Sequence, residues 1–416
     1  MTAVITGLGV VAPTGIGAAE HWRATLAGKL AVRPIETFDT SGYATGLAGQ
    51  VSGFDVTEHV PNRLAVQTDR WTWLAFAASG MALADADYDP SAHDPYATSV
   101  ILGSGSGGNE FGQREIQALW SRGRKAVGAY QAIAWFYAAS TGQLAIRHGT
   151  KGPCGVVVSE SASGIDSLGW ADRSIRRGTG AVLAGGTEAP IAPYALTIQM
   201  STGHLSTATD PKAGYKPFDR AANGHLPGEG GAVLLVEDAA AARARSAPAG
   251  YGVIAGYAAT QDAHHFRTAA PDGHQYARAM RLALRRAGVR PDEVDLVLAD
   301  GAGRPDADAA EARALCSVFG PRGVPVTAPQ GLVGRLLAGG SALSVATALL
   351  AMRHGVIPPV GNLDDPDPAL GLDLVCRPRE RALDTVLVTA RGQGGFNSAV
   401  VLRSCDVALD EGESNR

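Results

Sequence analysis

The run Ser159-Glu-Ser161-Ala-Ser-Gly164 places hydroxyls and a carboxylate directly after the apolar segment Gly155–Val158. A side chain at such a strand-to-helix turn stands at a helix N-terminus, where free N–H groups and the helix dipole favour an anion. A catalytic thiolate or an activated serine would be useful there. Glu160 and Ala162 flank Ser161, so the GxSxG frame of a hydrolase elbow is not met. A serine nucleophile also needs a base, and none of the ten histidines stands in a recognisable motif. Two glycine runs, Gly7-Leu-Gly9-Val-Val-Ala12 and Gly103-Ser-Gly105-Ser-Gly-Gly108, invite a nucleotide reading. Dinucleotide binding needs a helix directly after the turn and an acid at the end of the next strand. Val10-Val-Ala-Pro13 prolongs the strand instead, and no acid lies at the right distance. The glycines are better read as turns that let sheet and helix approach closely. His264-His265 is an adjacent pair, and neighbours in sequence do not share a helical face. The four cysteines, Cys154, Cys316, Cys376 and Cys405, have neither metal-ligand spacing nor a disulfide framework, and reduced thiols are expected. No metal site and no cofactor site is predicted.

Buried strands are predicted over Val4–Val11, Ser99–Leu102, Val156–Val158, Ala181–Gly185 and Ala232–Val236, and a helix from about Ala18. One long aromatic-rich helical stretch is expected over Gln113–Tyr137, and a small-residue helix from near Ala162. The Ala/Arg-rich, Pro-containing segment Ala239–Gly250 is the best linker candidate. Beyond it the alternation resumes, with strands at Tyr251–Tyr257, Val294–Ala299, Thr385–Ala390 and Ala399–Arg403 and helices at Tyr276–Ala287 and Ser341–Met352. Strand and helix alternating twice over suggests two related α/β lobes, residues 1–249 and 250–405, from a duplicated fold. The acidic tail Asp406–Arg416 is expected to fray.

The chain has 416 residues, 45% of them hydrophobic and 18% charged, ample for a two-lobed core. A net charge of −4 offers no basic face to nucleic acid. The start lacks a basic n-region and an apolar h-region, and the longest apolar stretches contain Gly and Ser. A soluble cytoplasmic protein is expected, with no membrane span.

Five segments together resemble the β-ketoacyl synthase family, a branch of the thiolase fold. They are Val4–Pro13, Ser159–Gly169, Pro217-Phe-Asp-Arg220 with Gly228–Gly230, Asp300–Gly303 with Glu311-Ala312, and Gly334-Arg335 through Gly340 with Gly392–Asn397. They span nearly the whole chain in the expected order. The resemblance implies a thiolase-like fold, with two lobes stacked in α-β-α-β-α layers. It also implies where the chemistry should be, and there this sequence departs from the family. Ser161 stands where condensing enzymes carry their nucleophilic Cys, Asp300 and Arg335 where they carry two His, and Gln330 where they carry a Lys. Claisen condensation needs a thiolate to hold the acyl chain and neutral imidazoles to stabilise developing negative charge. Four losses together indicate a retired site.

Among these relatives the pattern resembles the chain length factors, the β subunits that pair with a catalytic ketosynthase α subunit in type II polyketide synthases. Gly108–Phe111, Arg114-Glu115, Leu119-Trp120, Ala134–Tyr137, Thr141–Gln143 and Ile146–His148 carry that narrower match. Most chain length factors have Gln where this chain has Ser161, so a decarboxylase role ascribed to that Gln does not carry over. A serine that carries acyl groups, as malonyl decarboxylase or acyltransferase, stays open. Asn109, Gly112 and Ile116 share one helical face by their three- and four-residue spacing. The resemblance implies that this face lines the polyketide tunnel at the subunit interface. Gly112 and Ile116 would make that tunnel roomy; otherwise Gly112 serves close helix packing. The resemblance further implies a heterodimer, malonyl units delivered by an acyl carrier protein, and a growing polyketide chain as ligand. An ion pair between Asp300 and Arg335 is expected where the two histidines would sit. Glu188 is expected to be a buried hydrogen-bonding carboxylate.

Overall fold

A computed structural model describes residues 1–405. The expected fraying of Asp406–Arg416 lies outside the described residues. The principal elements of the first half are β1 (Ala3–Ala12), α1 (Ala18–Leu26), α2 (Arg70–Asp85), β2 (Thr98–Gly103), α3 (Asn109–Arg122), α4 (Ala139–His148), β3 (Cys154–Val157), α5 (Ser163–Arg176), β4 (Ala181–Glu188) and β5 (Gly230–Asp238). Those of the second are β6 (Gly252–Gln261), α6 (His274–Ala287), β7 (Leu296–Leu298), α7 (Pro305–Phe319), β8 (Pro325–Thr327), α8 (Ala338–His354), β9 (Asp373–Leu374), β10 (Thr385–Gly392) and β11 (Phe396–Arg403).

The two halves repeat one topology. β1 pairs antiparallel with β5, β5 antiparallel with β4, and β4 and β3 flank β2 in parallel. In the second half β6 pairs antiparallel with β11, β11 antiparallel with β10, and β10 and β8 flank β7 in parallel. The half-sheets join where Val4 and Ile5 meet Val253 and Gly252. α5 and α8 lie between them and touch strands of both. α8 is buried on every side from Ala338 to Ala351, as a helix without a polar face must be, and the hydroxyls of Ser341, Ser344 and Thr347 are satisfied by carbonyls of its own backbone. α2 covers the outer face of one half-sheet and α6 that of the other, which completes five layers in the order α-β-α-β-α. The central core joins Ile165 and Leu168 of α5 to Val345 and Leu349 of α8 and to Leu234 and Val388 of the two half-sheets. β3 closes one end of the sheet, and among the described residues it pairs only with β2, which leaves its outer edge without a strand.

The glycine runs serve close packing. A Cβ on Gly9 would meet Ala78 O at 1.7 Å, and one on Gly108 would meet Ala134 O at 2.1 Å. The structure corrects three local expectations. The strand predicted as buried over Val156–Val158 is the half-exposed strand β3, Cys154–Val157, and Val158 beyond it is exposed. The long helix over Gln113–Tyr137 is broken: α3 ends at Arg122, Gly123 follows with φ 86°, and only short helical turns lie beyond. The linker candidate begins as a helix, Ala239–Ala244, with Ala239 and Ala242 packed against Val4 and Val253.

Candidate functional site

β3 runs out at Val157, and a short turn, Glu160–Ala162, leads into α5. Glu160 is held at φ 55°, a conformation costly for a residue with a Cβ. Ser163 Oγ ties the turn together, accepting from Ser159 N at 2.7 Å and donating to Glu160 O at 2.7 Å. Asp166 accepts from Ser159 and from Tyr257 Oη and Ser398 Oγ of the second half, locking the turn to β6 and β11. Burial raises the Asp166 pKa, while those hydroxyls act to lower it. Ser161 is buried, 4% exposed, and its Oγ has no hydrogen-bond partner among the described residues. Glu160 Oε2 accepts from Ser161 N at 2.6 Å and from Gln393 N, in the glycine loop after β10, at 3.0 Å.

Asp300 follows β7, and Arg335 precedes α8. Arg335 Nη2 lies 3.3 and 3.2 Å from the two Asp300 oxygens and also donates to Arg391 O at 2.8 Å. Asp300 accepts from Arg391 N at 3.2 Å, so the pair is hydrogen-bonded as well as charged. Burial acts to lower the Arg335 pKa, and the charges of Asp300 and Glu160 more than offset it. Glu311 fixes the loop beneath by accepting from Asp300 N, Gly301 N and Tyr276 Oη at 2.8, 2.9 and 3.0 Å. Burial, reinforced by the charge of Asp300, raises Glu311 to about 7. Gln330 supports the same loop: its NH2 reaches the Asp300 and Ala299 carbonyls at 3.3 Å, and its carbonyl accepts from Ser344 Oγ at 3.0 Å.

These residues border a small cleft of about 100 Å³ lined by Glu160, Asp300, Arg335, Leu337, Gln393 and two histidines, His204 and His225. Neither histidine stands in a sequence motif. His225 N donates to His204 O at 3.1 Å, so a backbone pairing across twenty residues brings the rings to one wall; no local motif signals it. Burial lowers His204 to about 4 and His225 well below its usual value, so both are neutral near pH 7. His264 and His265 are exposed.

Glu188, at the end of β4, is fully buried and accepts from Gly105 N, Ser106 N and Ser106 Oγ. The glycine run after β2 therefore spends its N–H groups on this carboxylate, which burial raises to about 7. Asn109, Gly112 and Ile116 lie on α3. Asn109 Nδ2 donates to Ser106 O at 3.1 Å, Gly112 is buried beside Trp135, and Ile116 is exposed. Trp120, at 82% exposure, Trp135 and Phe136 are also exposed. Asp69 secures α3 by accepting from Phe111 N at 2.7 Å while capping α2 through Trp71 N. Burial raises Asp69 to about 7.

The site thus holds a serine with no base on its hydroxyl among the described residues, an ion pair lining a cleft, and two neutral imidazoles on the cleft's wall. Residues 2–242 match the N-terminal domain of β-ketoacyl synthases and residues 251–364 the C-terminal domain. The chain is 52% identical over 402 residues, 96% of its length and 98% of the relative's, to the tetracenomycin polyketide synthase ketoacyl synthase β subunit of Streptomyces glaucescens. To the α subunit of the same synthase it is 35% identical over 412 residues, 96% of each chain. Among solved structures it resembles the ishigamide ketosynthase/chain length factor, with a TM-score of 0.90 at 29% identity over 97% of this chain and 99% of that one. The identity to the β subunit exceeds that to the α subunit, and the chain belongs to the β-ketoacyl synthase family, on the side of its polyketide synthase β subunits.

Proposed function

We propose that this chain is the non-condensing subunit of a type II polyketide synthase, paired with a catalytic ketosynthase α subunit as a heterodimer. Its partner carries the growing chain and condenses malonyl units brought by an acyl carrier protein. This subunit sets product length by lining the interface tunnel with Asn109, Gly112 and Ile116. The observation that carries the proposal is the Asp300–Arg335 pair, which lines the cleft and is hydrogen-bonded to the Arg391 backbone on both its members. A carboxylate and a guanidinium cannot replace two imidazoles as neutral donors to a developing oxyanion.

The unpartnered Ser161 Oγ weighs against a serine-dependent decarboxylase or acyltransferase, since a hydroxyl without a base is a weak nucleophile. Exposed aromatics beside α3 support a partner on that face. No helix of the described residues is long and apolar enough to cross a membrane, in keeping with work in the cytoplasm. Two lobes, residues 1–249 and 250–405, suit the repeated half-sheets. The function needs no metal or nucleotide from this chain.

The deciding experiment measures polyketides from malonyl-loaded carrier protein by mass spectrometry, with the chain alone, with a cognate ketosynthase, and with that ketosynthase plus G112F. Product only with the partner, shortened by G112F, is expected. Product from the chain alone that S161A abolishes would identify an active serine enzyme instead. Product whose length ignores substitution at Asn109, Gly112 and Ile116 would reduce the subunit to a structural support.

A further inference from the structure

Two backbone N–H groups from distant parts of the chain meet on one oxygen beside Ser161. Ser161 N comes from the turn before α5 and Gln393 N from the loop after β10, and both donate to Glu160 Oε2. Convergent main-chain donors next to a nucleophile position form the arrangement that stabilises the oxyanion of acyl transfer. Here the oxygen belongs to the chain itself. Glu160 reaches it from a strained backbone, φ 55°, of the kind that persists where surrounding structure enforces it. Leu337, across the cleft at the start of α8, is strained likewise at φ 49°. Glu160 and Gln393 line the cleft, whereas Ser161 is not part of its lining, and the Ser161 hydroxyl is buried with no partner among the described residues. The Glu160 side chain therefore stands between the open cleft and the residue at the nucleophile position.

We propose that Glu160 is a built-in occupant of a surviving oxyanion hole. Its carboxylate oxygen takes the place of an acyl thioester's carbonyl oxygen, so this pocket excludes thioesters whatever residue stands at position 161. The site is closed by occupation as well as by loss of its nucleophile. This concerns the chain's own pocket and holds or fails independently of the role in product length.

The test uses the full chain, co-purified with a ketosynthase α subunit, as S161C and as S161C/E160A. Each complex is incubated with hexanoyl-coenzyme A at about pH 8.5, where an ordinary thiol is half ionised. The introduced thiolate attacks the thioester carbonyl carbon and a new C–S bond forms. The bond to coenzyme A breaks, and coenzyme A leaves as the thiolate and takes up a proton from water. Intact mass separates the two subunits and counts acyl groups on this one. S161C should stay unmodified, and S161C/E160A should gain one hexanoyl group at least about tenfold faster, since one oxyanion-hole donor is worth a hundredfold or more. S161C/E160Q should stay unmodified, because the amide oxygen still accepts from both N–H groups. Equal acylation of S161C with and without Glu160 overturns the proposal. So does an unmodified S161C/E160A whose melting temperature matches that of S161C. If E160A does not yield folded complex, E160S replaces it and the same two outcomes decide.

Discussion

Arg335 Nη2 lies 3.2 Å from Asp300 Oδ2, with the two side chains only 13% and 7% exposed. A buried pair of this kind is poor evidence of net stabilisation, yet removing one member strands the other. D300A should therefore lower the unfolding free energy by about 3 kcal/mol, read from urea melts of the complex. D300L/R335M should recover most of that loss. An unchanged midpoint for D300A would mean that water or another group already compensates Arg335.

Stability should fall as pH rises from about 7 to 8.5. Asp308 accepts from Phe218 N and Gly303 N at 2.9 and 3.1 Å, and burial raises its pKa to about 8. A raised carboxyl pKa means that the folded chain holds a proton the unfolded chain has released. Its contribution is complete below the unfolded value near 4 and is lost as pH passes through the folded value. The lowered His204 and His225 act in the opposite sense, but only below about 6.5. Melting temperatures measured between pH 7 and 8.5 should decline in the parent chain and decline less in D308N, whatever that variant's absolute stability.

Gly112 separates two explanations for a glycine inside a helix. A Cβ there would meet Trp135 Cβ at 3.5 Å, an ordinary contact, so packing does not require glycine. G112A should stabilise the chain by about 0.5–1 kcal/mol through helix propensity and leave product length nearly unchanged. G112F and I116W should shorten the polyketide. A destabilised G112A would return Gly112 to a packing role.

Asp69 joins two helices through one carboxylate. D69A removes the cap of α2 and the acceptor for Phe111 N at the start of α3, at a cost of about 1–2 kcal/mol. Hydrogen exchange in the first turn of α3 should quicken more than in its last turn. Uniform exchange along α3 would show that neighbouring packing, not Asp69, fixes its start.

Local patterning made most strands readable. Apolar runs such as Ala232–Val236 fall inside β5, and the small-residue stretch Ser341–Met352 falls inside the buried helix α8. The Asp300–Arg335 pair was legible because the family resemblance put both residues at positions that face each other. His204 and His225 were not, since only a pairing between remote loops brings them together. The break after α3 falls at Gly123, at φ 86°, and the backbone is extended again at Val127 before Gly128, although the residues around these points are helix-compatible. The Glu160 contact was equally hidden, because its second donor, Gln393, lies 233 residues away.

The open outer edge of β3 bears on how the two subunits must be made. An edge strand with unpaired backbone groups is a template for the wrong partner, and this chain also exposes Trp120, Trp135 and Phe136. Synthesis of the α subunit in smaller amount would leave surplus copies of this chain carrying both liabilities. Matched dosage of the two genes is then a condition of solubility, and any excess of this subunit should be recovered in the insoluble fraction.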